Sequence, residues 1–213
     1  MKFYNYSNVI LQGSSASGKT QMMREILRQK GDLFFESVTR VIFVYEHWQE
    51  LYDEMLKDDP DIIFTKDIPN TETLYEYTKD HRHSLLCLDD KQMEVGESAN
   101  VATIFTRLSH HFKISCFCLM QGATLKGRHA SDVLRNAHYN IVFKSGKEAH
   151  LLRALGAQMN DYRALSEAYK LAIDDRQYRY LCVNNHPKAS HLEKYSTDIL
   201  PSDGVCILFH KKK

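Results

Sequence analysis

Residues 13–20 read GSSASGKT. Gly13 and Gly18 bracket four small residues, Ser14, Ser15, Ala16 and Ser17, and Lys19 and Thr20 follow at once. This is the G-x-x-x-x-G-K-[ST] pattern of a phosphate-cradling loop. The two glycines permit backbone turns and close approaches that a side chain would obstruct. Successive amides then point inward and form an anion-binding nest. A helix starting at the lysine adds its unpaired N–H groups and the positive end of its dipole. Lys19 reaches the β- and γ-phosphates, and the Thr20 hydroxyl is a ligand for Mg²⁺. The expected ligand of Gly13–Thr20 is ATP.

Such a loop needs a partner to manage metal and water. Ser84–Asp90 (SLLCLDD) is an apolar run that ends in two acids. Asp89 is the expected metal-side carboxylate, and Asp90 is placed to polarise the attacking water. The plainer reading is a surface turn with two solvated acids. Gln121 closes the next apolar run, where a terminal amide can touch both γ-phosphate and water; the alternative is a glutamine hydrogen-bonded to a loop. Lys19, Asp90 and Gln121 are thus the catalytic candidates in the chain's own site, and Thr20 and Asp89 the metal candidates.

The elements that must position these residues alternate along the chain. Strand patterns fall at Asn8–Gln12, Arg40–Tyr45, Asp61–Phe64, Ser84–Asp89, Ile114–Gln121, Asn140–Phe143, Tyr178–Val183 and Val205–Phe209. Helical patterns fall at Lys19–Gln29, His47–Leu56, Thr71–His81, Val101–Leu108, Glu148–Leu155 and Tyr162–Ile173. The alternation predicts an α/β fold with a mostly parallel central sheet; the phosphate loop and acid-bearing strand set into it resemble those of three-layer RecA-like (ASCE) P-loop NTPase domains, the fold expected here. The late strands are expected to add antiparallel pairing at one edge. A length of 213 residues fits a single domain over 1–213, with a short basic tail at 210–213.

Composition narrows the classes. The chain is 43% hydrophobic and 26% charged, with a formal net charge of +1. Any anionic partner must therefore meet a local basic patch. No apolar run approaches the ~20 residues of a membrane span, and MKFYNYSN lacks the apolar stretch of a secretory leader. The five cysteines have no zinc spacing and lie mostly in β-type runs, which suits reduced core residues of an intracellular protein.

The acid-bearing strand, the further strand ending in glutamine and the lack of an arginine-rich lid resemble the FtsK–HerA branch of P-loop ATPases. The chain is most similar there to viral genome-packaging ATPases, those of Polinton-like (adintovirus-like) elements and of poxvirus-type large DNA viruses. The likeness runs through GSSASGKT, VYEHWQELYDEM, LLCLDD, TRLSHHFKISCFCLMQ, LRNAHYNIVFKS, ALSEAYKLAIDDRQYRYLCVN and YSTDILPSDGV. It implies a motor that uses ATP and Mg²⁺ to drive double-stranded DNA into a preformed capsid. Further implications are a homo-oligomeric ring (pentamer or hexamer), viral capsid or vertex proteins as partners, no membrane, and work in the host nucleus or at a viral assembly site. Two departures stand out. The second acid is Asp90 where many cellular members have Glu. Ser109-His110-His111 occupies a place where some relatives have an arginine. A finger supplied in trans must then come from elsewhere, and Arg107, Arg128 and Arg135 are the candidates, Arg135 first.

Lys126, Gly127 and Arg128, and Lys144 and Lys147, follow strand ends where ring ATPases present DNA-gripping groups; ordinary solvated charge is the plainer reading. Trp48 reads as a core anchor on an amphipathic helix, with a subunit-interface or nucleotide-adjacent role as the alternative. Two other functions share the loop: a nucleoside or polynucleotide kinase, and a nucleotide-gated interaction protein that scarcely hydrolyses ATP.

Overall fold

The computed structural model describes residues 1–122, 124–146, 148–173 and 178–210. Lys147 and the tail Lys211–Lys213, both weighed above, lie outside them. The chain opens with β1 (Asn8–Gln12), α1 (Lys19–Arg28), β2 (Arg40–Val44), α2 (Glu50–Asp58), β3 (Ile63–Thr65), α3 (Thr71–Thr78) and β4 (Ser84–Asp89). Next come α4 (Gln92–Glu97), α5 (Ala99–Thr103), a π-helical stretch (Ile104–Leu108), α6 (Ser109–His111) and β5 (Ile114–Met120). After these follow α7 (Ala130–Arg135), β6 (Tyr139–Phe143), α8 (Glu148–Met159), α9 (Tyr162–Ala172), β7 (Tyr180–Asn184), β8 (Tyr195–Thr197) and β9 (Ile207–Leu208).

The strands form one sheet in the order β3-β2-β4-β5-β1-β6-β7-β8-β9. From β3 to β6 every pairing is parallel. The pairings β6–β7, β7–β8 and β8–β9 are antiparallel, as the sequence led us to expect of the late strands. β1, β4, β5 and β6 are buried along their whole length, which is why they read as near-continuous apolar runs. Alternate residues feed opposite layers. Val9 and Leu11 of β1 pack with Met22, Met23, Ile26 and Leu27 of α1 and Met55 of α2. Ile10 faces the other way, toward Val95, Val101, Phe105 and Val133 of α4, α5, the π stretch and α7. A third cluster joins α8 and α9 to Leu181 and Val183 of β7. The result is a three-layer α/β P-loop NTPase fold.

β5 lies between β1 and β4. The ends of β1 and β4 are thus separated by two strand spacings, about 10 Å, with the open crevice of a parallel sheet above them.

Several elements differ from their sequence patterns. α4 and α7 have six residues each and were not legible as helices. The pattern at His47–Leu56 becomes a helix only at Glu50, so Trp48 precedes α2. Trp48 is 45% exposed. It meets Tyr45, Tyr52 and Phe64 edge to face and donates a hydrogen bond to Asp53 at 3.2 Å, so it borders the core rather than anchoring it. Among the described residues no helix is long and apolar enough to cross a membrane.

Candidate nucleotide site

The loop after β1 passes through two left-handed positions, one at a glycine and one at an alanine. Ala16 has φ +59° and Gly18 φ +99°. A Cβ at Gly13 would lie 2.5 Å from Ser17 Oγ and 2.8 Å from Phe143 Cβ, so only glycine fits there. α1 begins at Lys19, behind Gly18 as its N-cap, with no side-chain cap and no acidic residue in its first turn. Its leading N–H groups and positive dipole end therefore remain open to an anion. Ser17 Oγ is buried with no hydrogen-bond partner. A cradle made by glycine, open amides and an orphaned hydroxyl fits a polyphosphate.

Lys19 is 7% exposed. Its Nζ donates to the Gly13 carbonyl at 3.0 Å and the Ser14 carbonyl at 2.9 Å, folded back over the loop. Burial lowers its pKa, against the pull of Asp89 and Asp90.

The carboxylates lie across this loop. Thr20 Oγ1 donates to Asp89 Oδ2 at 3.1 Å, and the Tyr52 hydroxyl donates to the same oxygen at 3.0 Å. Asp89 is 2% exposed. Burial, helped by the charge of Asp90, raises its pKa to about 6; the Tyr52 and Thr20 hydrogen bonds and Lys19 oppose that rise. Asp90 is exposed, in a left-handed conformation with φ +56°. It accepts a hydrogen bond from Gln121 Nε2 at 2.8 Å. The second acid, in the turn after β4, and the glutamine after β5 therefore meet side chain to side chain. A hydroxyl and a carboxylate side by side, beside a polyphosphate cradle, form a donor set that fits Mg²⁺.

One cavity of about 580 Å³ collects Ser15–Gln21, Asp89, Asp90 and Gln121, together with Gln49 and Tyr178. Gly13 and Ser14, at the start of the loop, do not line it themselves, and of the catalytic candidates Arg135 stays outside it. It ends α7, before β6 begins, and so stands at the opposite end of the parallel strands. There it lines a separate cavity of about 760 Å³ with His138, Asn140 and Lys194. Arg107, Lys126 and Arg128 are exposed.

Two residues at the site carried no signal of their own in the sequence. Tyr52 stands in an amphipathic pattern, and only the adjacency of β2 and β4 brings its helix to Asp89. Gln92 lies on the short α4. Its Oε1 accepts from the backbone N–H of Gln121 at 3.1 Å and of Gly122 at 3.3 Å, and its Nε2 donates to Thr124 O at 3.1 Å. β5 has ended by Gln121, and this one amide replaces its lost ladder partners. Lys91, between the acids and Gln92, is ion-paired with Glu46 and, at 2.8 Å, with Glu94.

No protein-family model matches the chain, and no curated protein matches it. Solved structures do. The genome packaging NTPase B204 from Sulfolobus turreted icosahedral virus 2, in complex with ATP-gammaS, aligns with a TM-score of 0.58 at 12% identity over 98% of each chain. Its complex with AMP gives 0.56 at 14% identity, covering 84% of this chain and 92% of that one. B204 described as the DNA-packaging ATPase from Sulfolobus Turreted Icosahedral Virus gives 0.59 at 12% identity over 98% of each chain. At such identities the likeness is one of fold, that of P-loop NTPases.

Proposed function

We propose that the chain is an ATP-hydrolysing motor of the FtsK–HerA branch that moves viral double-stranded DNA into a capsid. The observation that carries the ATPase part is a meeting of pairs. Thr20 with Asp89, at 3.1 Å, and Asp90 with Gln121, at 2.8 Å, border one cavity with the phosphate loop. The packaging part draws support from the sequence resemblance and from structural neighbours that are themselves a genome packaging NTPase.

In this reading the amides of residues 13–20 hold the triphosphate. Lys19 leaves the Gly13 and Ser14 carbonyls to neutralise its β- and γ-oxygens. Magnesium, where Thr20 and Asp89 hold it, supplies charge neutralisation of the phosphate oxygens. Asp90 accepts the proton of the attacking water, and Gln121 orients that water. The Gln121–Asp90 bond couples the two groups before substrate arrives. An exposed acid beside an amide suits water better than a bound acceptor alcohol, which favours hydrolysis over a kinase reaction.

The active species is a ring, pentamer or hexamer, because one domain of this size cannot encircle DNA. Arg135, far from its own cavity, would act only on a neighbour's nucleotide. Lys126, Arg128 and Lys144 are candidates to grip phosphate, in contacts that are sequence-independent and strongly salt-sensitive. The proposed partners are capsid or vertex proteins, and the place of action is the host nucleus or a viral assembly site.

The test is phosphate release from ATP, with no added acceptor, in the presence and absence of duplex DNA, with oligomer mass measured in the same buffer. Stimulation by DNA in a ring-sized species is expected. Full turnover by a strict monomer indifferent to DNA would contradict the motor.

A further inference from the structure

Tyr178 is a large aromatic residue that is 59% exposed, yet it lines the polar nucleotide cavity. Its φ is +61°, a conformation that a bulky side chain rarely adopts and that the fold must hold in place. Its ring lies on the phosphate loop: a Cβ at Gly18 would come within 2.7 Å of Tyr178 Cδ1. Among the described residues no hydrogen bond or ring contact occupies it.

The sheet order gives this ring a direction. Tyr178 leads into β7, which pairs with β6 beside β1. Asp89 and Asp90 stand on the other side of β1, at the end of β4 beyond β5. A triphosphate in the loop that turns its γ end toward the acids therefore turns its α end, and whatever is attached there, toward Tyr178.

We propose that the Tyr178 ring is the platform on which the nucleotide base stacks, and that the site selects purines by ring area rather than by the base edge. This rests on the reading of the cavity as an ATP site. A bare aromatic face offers van der Waals area and no hydrogen-bond code, and base–aromatic stacking tolerates any base. The bicyclic purines cover more of the ring than pyrimidines do. ATP and GTP are then bound alike, and CTP and UTP more weakly.

The experiment measures binding of three probes to the full chain: a non-hydrolysable ATP analogue, the matching CTP analogue and inorganic tripolyphosphate. The variants are Tyr178→Phe and Tyr178→Asn. Asparagine removes the ring but tolerates the left-handed backbone. Tyr178→Asn is expected to weaken the ATP analogue by roughly tenfold or more, the usual scale for losing a stacking ring, and the CTP analogue by less. Tripolyphosphate binding is expected to stay within about twofold, because the phosphate loop keeps its own donors. Tyr178→Phe keeps the face and is expected to bind all three as the wild type does. Equal weakening of ATP analogue and tripolyphosphate would overturn the proposal, since the ring would then merely prop the loop. An unchanged ATP affinity in Tyr178→Asn would overturn it as well. If wild type fails to bind even tripolyphosphate, the phosphate-site reading falls, and the base platform with it.

Discussion

Two hydroxyl groups meet on one oxygen of Asp89. Thr20 is the donor that the motif anticipates, and Tyr52 is the one that the fold adds. Tyr52 is 1% exposed, so its hydroxyl has no water to fall back on. It orients the carboxylate and favours the ionised form against burial, the state a metal needs. Loss of such an outer partner typically costs about 10–100-fold in metal affinity. Tyr52→Phe is therefore expected to raise the magnesium concentration for half-maximal hydrolysis by about tenfold or more, with kcat at saturating magnesium largely kept. A magnesium titration of both proteins checks this; an unchanged midpoint would reduce Tyr52 to a packing residue.

At the scale of elements, the site depends on strand ends, and each end is finished differently. β4 ends at Asp89 with Asp90 next, and Gln121 directly follows β5, both legible because a buried apolar run that stops at a polar residue marks the crevice end of a parallel strand. The phosphate loop was legible from spacing alone. What finishes β5 was not. Gln92 works through three hydrogen bonds, but it sits on a six-residue helix too short for a periodic pattern. β8, with three residues, was missed for the same reason. The placement of β5 between β1 and β4 is a topological choice that no local run encodes.

The opposite ends of the strands carry their own chemistry. His138, at the entry to β6, accepts a hydrogen bond at Nδ1 from the Asn8 amide at 2.9 Å. Burial first, then the neighbouring His186 and His110, lowers its pKa from 6.5 to about 4. Between those values the unfolded chain binds a proton that the folded chain refuses. The stability this histidine supports is present above pH 6.5 and is lost as pH falls toward 4. Urea midpoints at pH 7 and pH 5 should fall less for His138→Asn than for the wild type. Equal losses would place the acid sensitivity elsewhere.

Over the whole molecule, one sheet divides two kinds of surface. The end where the parallel strands finish gathers the phosphate loop, both acids, Gln121 and Tyr178 around a single cavity. The end where they begin carries Arg135, His138 and Lys194 around another. In a ring such separation lets a cation of one subunit serve the nucleotide of the next, a contribution that can be worth about 10³–10⁵ in rate. Such a contribution acts on ATP hydrolysis in the first cavity. The most direct measurement is steady-state phosphate release from ATP with magnesium, compared between wild type and Lys19→Ala. Sustained release by the wild type, abolished by the substitution and by chelation of magnesium, is the expected result. Equal turnover in the two proteins would contradict the account.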